Sequence, residues 1–111
     1  MVKQSAAALD QMFYALSDPT RRKIIERLAK GPASVSELAK PLPMSLPGVV
    51  QHLNVLEQSG VVISFKQGRV RTCRIAPKKL DAAQKWLAAQ QKIWEARFDR
   101  FDALVMEMDD E

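Results

Sequence analysis

The spacing of apolar residues changes abruptly at Gly60, and this change constrains the fold more than any other feature of the chain. Before it, apolar residues recur every three or four positions, which predicts a helix over residues 46–58. After it, residues 61–65 and 70–75 are rich in β-branched side chains and flank the basic segment 66–69, which predicts a β-hairpin. We therefore expect a mainly α fold with a small β-hairpin.

Three more helices are predicted before this one. Apolar spacing indicates a first helix over residues 5–16. Asp18 and Pro19 are a typical N-cap and first residue for a second helix over 19–30, and a capping box at residues 34–37 starts a short third helix over 35–40. Two short helices joined by a tight turn and followed by a hairpin form a winged helix-turn-helix, whose second helix enters the major groove of DNA. Helix 46–58 is the expected reader, and residues 61–76 are the expected wing.

The segment from Pro77 to Met108 contains no glycine and no second proline, and it predicts one amphipathic helix of roughly 45 Å. A core of this size cannot cover so long an apolar stripe, so we expect part of the stripe to meet a second copy. The alternative is a helix that folds back on its own domain. The expected dimer contacts lie on this helix and on the first one: Leu9, Met12, Phe13, Leu87, Trp94, Phe98, Phe101 and Val105.

The length of 111 residues and the hydrophobic content of 47% favour a single domain, with a DNA-binding core at 1–76 and a dimerisation helix at 77–108. Residues 1–80 contain 13 Lys/Arg and 5 Asp/Glu, whereas residues 81–111 contain 4 and 8. The first part is therefore suited to a polyanion. No apolar run is long enough to cross a membrane, and no secretion signal begins the chain, so we expect a cytoplasmic protein without a membrane partner.

The predicted reader helix has a polar face opposite its apolar one. Gln51 and Asn54 carry carboxamides that can pair with base edges, particularly adenine, and Val50 can contact a thymine methyl group. An ordinary solvated helix face is the alternative. Phosphate contacts are expected from basic side chains, with help from the Ser45 hydroxyl and the helix N-terminus. These basic residues are Arg21, Arg22, Lys66, Arg69 and Arg71.

Several motifs, taken in order, resemble those of the ArsR/SmtB family of bacterial transcriptional repressors. They read ALSDPTRR at 15–22, LA at 38–39, MSLP at 44–47, HLNVLEQSGVV at 52–62 and GR at 68–69, so the resemblance covers nearly the whole chain. It implies a homodimeric winged-helix repressor whose affinity for a double-stranded DNA operator can be set by an inducer. Carried over to this chain, the contacts of the family's reader helix and wing fall on Ser45, Leu46, Pro47, Gly48, Gln51, His52, Lys66 and Arg69.

A dimer with two-fold symmetry would place its reader helices in successive major grooves, about 34–36 Å apart. We therefore expect the operator to be an inverted repeat.

The chain departs from the metal-sensing members of that family. Residues 36–40 contain no cysteine, and the last helix carries scattered carboxylates but no histidine or thiol. We therefore expect no metal and no cofactor. Aromatic residues of the last helix, among them Trp86 and Trp94, could line an inducer pocket at the dimer seam, although such a stripe more often forms core or interface.

Two alternatives to a simple DNA-binding repressor remain open. Cys73, the single cysteine, lies beside basic residues and could make the repressor redox- or metal-responsive, whereas a half-buried structural cysteine is the plainer interpretation. The winged helix could instead serve protein–protein assembly without DNA contacts. With His52 as the single histidine, no Ser-His-Asp or Cys-His grouping can be argued, and we expect no enzyme.

Overall fold

The computed structural model describes the backbone of residues 2–109 and the side chains of residues 6–108. It is mostly helical, with a small antiparallel sheet and a long C-terminal helix, which confirms the predicted fold class. The elements follow in the order α1 (Val2–Leu16), α2 (Pro19–Leu28), β1 (Ala33–Ser34), α3 (Val35–Ala39), α4 (Leu46–Gln58), β2 (Val62–Gln67), β3 (Val70–Ile75) and α5 (Asp81–Asp109), with a 3₁₀ turn at Pro77–Leu80 before α5.

Side-chain caps fix where the helices of the helix-turn-helix begin. Ser34 and Glu37 form the predicted capping box of α3, with the Glu37 amide donating to Ser34 Oγ at 3.1 Å and the Ser34 amide to Glu37 Oε1 at 3.3 Å. Ser45 caps α4, because its Oγ accepts from the Gly48 amide at 3.3 Å. These caps satisfy amide groups that have no partner within a helix, so each helix starts at a defined residue.

The sheet has three strands in the order β1-β3-β2. Sequence analysis predicted the β2–β3 hairpin, but it did not predict β1, a pair of residues that places Ala33 opposite Cys73 of the central strand. The bounds of β3 match the prediction, whereas β2 extends further into the turn than predicted, to Gln67. Gly68 makes this tight turn with a φ of +61°, a conformation that L side chains rarely adopt.

The core lies between α1, α2, α4, the sheet and the start of α5. The apolar face of α4 supplies three side chains with no exposed surface: Val49, Leu53 and Leu56. Because this face is fully committed to the core, the opposite face of α4 is turned outward. The other buried residues are Met12, Ala15, Arg21, Ile24, Leu28, Ala33, Leu38, Val61, Val62, Cys73 and Ala83.

The helix α5 leaves the body of the protomer after its first turns. Ala83 is buried, and the ring of Trp86 meets that of Phe13 edge-on with centroids 5.7 Å apart. Every residue from 91 to 108 is exposed. The radius of gyration is 19.9 Å, against about 13 Å for a compact chain of 100 residues. The helix therefore does not fold back over its own protomer. No helix within residues 2–109 is both long and apolar enough for a membrane span.

Candidate nucleic-acid interface

The outward face of α4 presents most of the residues that the sequence singled out. Ser45, Pro47, Gln51 and Asn54 are exposed, and Leu46 exposes 51% of its surface. Gly48, Val50 and His52 are partly exposed. Pro47 is tolerated in the first turn, where its missing amide hydrogen would have had no helical partner. This face therefore combines polar side chains that can pair with bases and a first turn that contains Pro47 and Gly48.

Gly48 lies in open surroundings at the start of α4. A Cβ added there would meet only Ser45 Oγ at 3.5 Å and Met44 at 3.8–4.0 Å, which are ordinary van der Waals distances. No atom of α3 lies within 4 Å of that position. Packing inside the protomer therefore does not require a glycine at this position.

The wing adjoins the start of the reader helix. A groove of about 510 Å³ is lined by the beginning of α3, the N-terminal part of α4 and the wing. Leu46 and Val50 face it from α4, and Arg69 faces it from the wing tip. Lys66 and Arg69 are exposed; Arg69 borders this groove, and Lys66 pairs across the hairpin with Arg71, which also lines it.

Arg71 holds the wing against the reader helix. Its Nη2 lies 2.7 Å from Glu57 Oε2 and 3.5 Å from Asn54 Oδ1, and its Nε donates to Ser64 Oγ at 3.1 Å. Ser64 in turn donates to Glu57. The sequence predicted that Arg71 contacts phosphate, but its side chain is about three-quarters buried and its charge is balanced by Glu57. This placement argues against that contact and makes Arg71 a clamp between β3 and α4.

Arg21 is the second basic residue that the structure places differently from its prediction. Only 7% of its surface is exposed, and its guanidinium donates to the carbonyl oxygens of Ala15 at 2.8 Å and Tyr14 at 2.9 Å. Because this guanidinium is buried and held by two carbonyl groups of its own protomer, the structure argues against a direct phosphate contact. The correction does not extend to Arg22, which is exposed and donates to the Leu16 carbonyl at 2.7 Å.

Asp18 caps α2 beneath the reader helix. Its Oδ2 accepts from the Arg21 amide at 3.0 Å and lies 3.8 Å from His52 Nδ1. The amide hydrogen bond, followed by the nearby His52 and Arg21 side chains, lowers the pKa of the Asp18 carboxyl below its ordinary value of 3.8. The cap is therefore stronger in its ionised form.

The residues expected at a dimer interface divide into two groups. Met12 is only 3% exposed and packs in the core of its own protomer, so it has no surface left for a partner, and this expectation is corrected. Leu9 and Phe13 are partly buried against the same core. The α5 residues are instead open, with exposed fractions between 38% and 62%: Leu87, Trp94, Phe98, Phe101 and Val105.

Comparison with known proteins places this geometry in a family. Residues 16–64 match the model of a helix-turn-helix domain family. The HTH-type transcriptional regulator Rv2034 of Mycobacterium tuberculosis is 47% identical over 73 residues, which are 66% of this chain and 68% of that protein. The transcriptional repressor SdpR of Bacillus subtilis is 36% identical over 61 residues, which are 55% of this chain and 68% of SdpR.

A solved structure of an ArsR family transcriptional regulator, RHA00566, is 51% identical. It superimposes with a TM-score of 0.78 over 81% of this chain and 93% of that one. The chain belongs to the ArsR/SmtB family of transcriptional regulators. The resemblance inferred from the motifs is thereby confirmed.

As an ArsR/SmtB protein, the chain shows no metal-binding grouping in the part that the structure describes. Among the side chains of residues 6–108, no three from His, Cys, Asp or Glu come close enough to hold a metal ion. The carboxylates of α5, such as Glu95 and Asp99, are exposed on a solvated helix.

The single cysteine of this ArsR/SmtB protein is enclosed in the sheet. Cys73 has no exposed surface and lies in the central strand, between Ala33 of β1 and Ser64 of β2. Burial raises the pKa of the Cys73 thiol, and the opposing effect of Arg71 is smaller. A thiol that is buried and protonated is a poor nucleophile, which argues against the redox-responsive alternative.

Proposed function

We propose that this ArsR/SmtB protein is a homodimeric, sequence-specific repressor that binds an inverted-repeat operator in double-stranded DNA. The outward face of α4 enters the major groove, and the wing contacts the adjacent backbone. The observation that carries this proposal is the split of α4, whose apolar residues have no exposed surface while Ser45, Gln51 and Asn54 are exposed beside a basic wing.

Base readout rests on the two carboxamides of α4. The Gln51 side chain is exposed and makes no hydrogen bond with residues 6–108, so both its oxygen and its NH2 group are open to a base edge. Asn54 differs, because its oxygen accepts from Arg71. Gln51 is therefore the better candidate for a bidentate pair with adenine, and Asn54 offers its NH2 group to an acceptor.

Phosphate contacts come from the exposed cations, namely Arg22 on α2 and Lys66 and Arg69 on the wing. The Ser45 hydroxyl, whose oxygen caps the Gly48 amide, can add a further contact to the DNA backbone at the start of α4. These contacts carry no sequence information, but they release counterions, so affinity falls as the salt concentration rises.

Dimerisation gives the protein the two-fold symmetry that an inverted-repeat operator requires. The exposed apolar residues of α5 form a long unpartnered stripe, in which the rings of Trp94 and Phe98 stack with centroids 5.6 Å apart. A stripe of this length is costly in water, and an isologous contact with the same helix of a second copy would cover it. An inducer, if one exists, would act by changing the relation between the two reader helices.

To test the proposal, the full chain is used to select the DNA duplexes that it binds from a randomised library. Light scattering then measures how many protein chains each complex contains. We expect the enriched duplexes to contain inverted repeats with half-sites about one helical turn apart, and the complex to contain two protein chains. A monomer on a single asymmetric half-site would contradict the proposal, as would failure to enrich any duplex.

A further inference from the structure

A hydrogen bond links buried Arg21 to the reader helix. Arg21 Nη1 lies 3.2 Å from Nδ1 of His52. A guanidinium carries only donors and stays protonated, so Nδ1 must accept with its lone pair. Neutral His52 therefore carries its proton on the other ring nitrogen, Nε2.

The donor in this bond is itself fixed in place. The Arg21 Nε and Nη2 groups are held by the carbonyl oxygens of Ala15 and Tyr14 at the end of α1, and Cζ lies 5.0 Å from the centroid of the Tyr14 ring. The guanidinium therefore has little freedom to turn. Its remaining edge sets the orientation of the imidazole. Asp18 is the other charged group near Nδ1, but at 3.8 Å it lies beyond hydrogen-bond distance.

The second nitrogen of the imidazole is open to a partner outside the protomer. His52 Nε2 has no hydrogen-bond partner among residues 6–108. It is not enclosed either, since no buried side-chain nitrogen or oxygen in that range lacks a partner. The His52 side chain is 22% exposed and follows Gln51 on the reader helix. One N–H donor of fixed tautomer is thus available next to the proposed reader face.

We propose that Arg21 is a positioning residue for DNA binding, which fixes the tautomer and orientation of His52 so that Nε2–H donates to an acceptor atom of the DNA. The inference rests on the proposed function. It gives Arg21 a role that its burial otherwise hides, because Arg21 acts on DNA only through His52. It also ties the end of α1 to a contact made by α4.

The first test determines which nitrogen of His52 is protonated in the free protein. A long-range ¹H–¹⁵N spectrum at about pH 8.5, where an imidazole is neutral, reads this directly, and the chain has a single histidine to assign. We expect one tautomer with Nε2 protonated in the wild type, and a mixture of tautomers in Arg21→Lys. Arg27→Lys is the matched control, since Arg27 lies on the same helix but donates to Gly31. A wild type protonated at Nδ1, or an unchanged tautomer in Arg21→Lys, would overturn the proposal.

The second test measures affinity for a duplex that the wild type enriches from a randomised library. His52→Asn keeps an acceptor near the position of Nδ1 but loses the outer donor, and we expect about tenfold weaker binding, equivalent to about 1.4 kcal/mol. His52→Gln places an NH2 group near the position of Nε2, and we expect it to bind more tightly than His52→Asn. Single methylphosphonate substitutions in the duplex distinguish a phosphate oxygen from a base-edge acceptor.

A double variant tests whether Arg21 acts through His52. We expect Arg21→Lys to weaken binding several-fold, and Arg21→Lys combined with His52→Asn to bind no more weakly than His52→Asn alone. Additive losses would overturn the proposal, provided that thermal melting shows all variants folded at the assay temperature. Failure of the proposed function is distinguishable, because the wild type would then enrich no duplex while the tautomer experiment on the free protein still gives its own answer.

Discussion

Arg71 Nη2 lies 2.7 Å from Glu57 Oε2, and this ion pair joins the central wing strand to the reader helix. Both side chains are about three-quarters buried, with exposed fractions of 24% and 28%. The pair therefore fixes the angle between the two elements that we propose contact DNA together. Because Glu57 balances the charge of Arg71, the exposed cations that the wing can offer to DNA in our proposal are Lys66 and Arg69.

Substitution of Glu57 should break the ion pair with Arg71 and weaken DNA binding, even though the substitution removes a negative charge. We expect Glu57→Ala to lower stability by about 0.5–1.5 kcal/mol and to reduce affinity several-fold, because the wing loses its anchor on α4. Hydrogen exchange of the β2–β3 amides and fluorescence anisotropy with an enriched duplex measure the two effects. Glu26→Ala, an exposed glutamate of α2, is the control. Tighter binding with unchanged wing protection would contradict the clamp.

Much of this architecture was predictable from the sequence because local signals were strong. The cap at Ser45, the apolar spacing and the stop at Gly60 predicted the bounds of α4 as the structure has them. The strand β1 was not predictable, because two residues carry no periodicity and its pairing with β3 is a tertiary contact. Charge patterning suggested that Arg21 was exposed, yet Arg21 shares a helix face with Ile24 and Leu28, and that spacing was the signal for its burial.

The spacing along β3 likewise indicated that Arg71 is partly buried. It lies two residues from buried Cys73 and therefore on the same face of β3, whereas Arg74 lies on the other face and is exposed. Its partner Glu57 could not be predicted, because the contact depends on how the wing packs on α4. Local periodicity indicates which face a residue occupies, but the side chain that meets it there depends on the tertiary fold.

Gly48→Ala should separate stability from DNA binding. An added Cβ meets only ordinary contacts, and alanine favours the helix, so stability should be unchanged or rise by up to about 1 kcal/mol. Affinity should nevertheless fall about tenfold, because the methyl group lies where α4 approaches DNA. Thermal melting and anisotropy give the two numbers. Gly60→Ala is the contrast, because its φ of +82° and Lys79 Cε at 3.2 Å predict lower stability. Undiminished affinity of Gly48→Ala would refute the close approach.

Acid should destabilise the protein through two caps. The pKa of Asp18 is lowered by the Arg21 amide, and the pKa of Glu37 by its hydrogen bonds with Ser34, from ordinary values of 3.8 and 4.5. Carboxyls whose pKa values are lower in the folded state stabilise it above those ordinary values, and this stability is lost as the pH falls through the folded pKa values. We expect the melting temperature to fall between about pH 5 and pH 2.

The double variant Asp18→Asn and Glu37→Gln tests the assignment, because both replacements can still cap a helix. It should melt lower than the wild type at pH 6, and the difference should shrink towards pH 2. A difference that stays constant over this range would show that other groups carry the acid response.

Cys73 should be inert in the folded protein. It has no exposed surface and its thiol pKa is raised by burial, so iodoacetamide should modify it only as fast as the protein unfolds. Mild peroxide should leave the affinity for an enriched duplex unchanged. The substitution Cys73→Ser should also leave this affinity unchanged. Mass spectrometry alongside anisotropy checks both. Rapid modification of the native protein with loss of DNA binding would restore the redox-responsive alternative.

The central claim is that α4 reads base sequence while the wing supplies affinity. It is tested most directly by measuring Gln51→Ala and Lys66→Ala against an enriched duplex and a set of its single base-pair variants. We predict that Gln51→Ala loses about 1–3 kcal/mol of discrimination at one symmetric pair of positions, whereas Lys66→Ala weakens binding to every duplex alike and lowers the salt slope by about 1. A uniform loss of affinity in Gln51→Ala, with discrimination intact at every position, would contradict the claim.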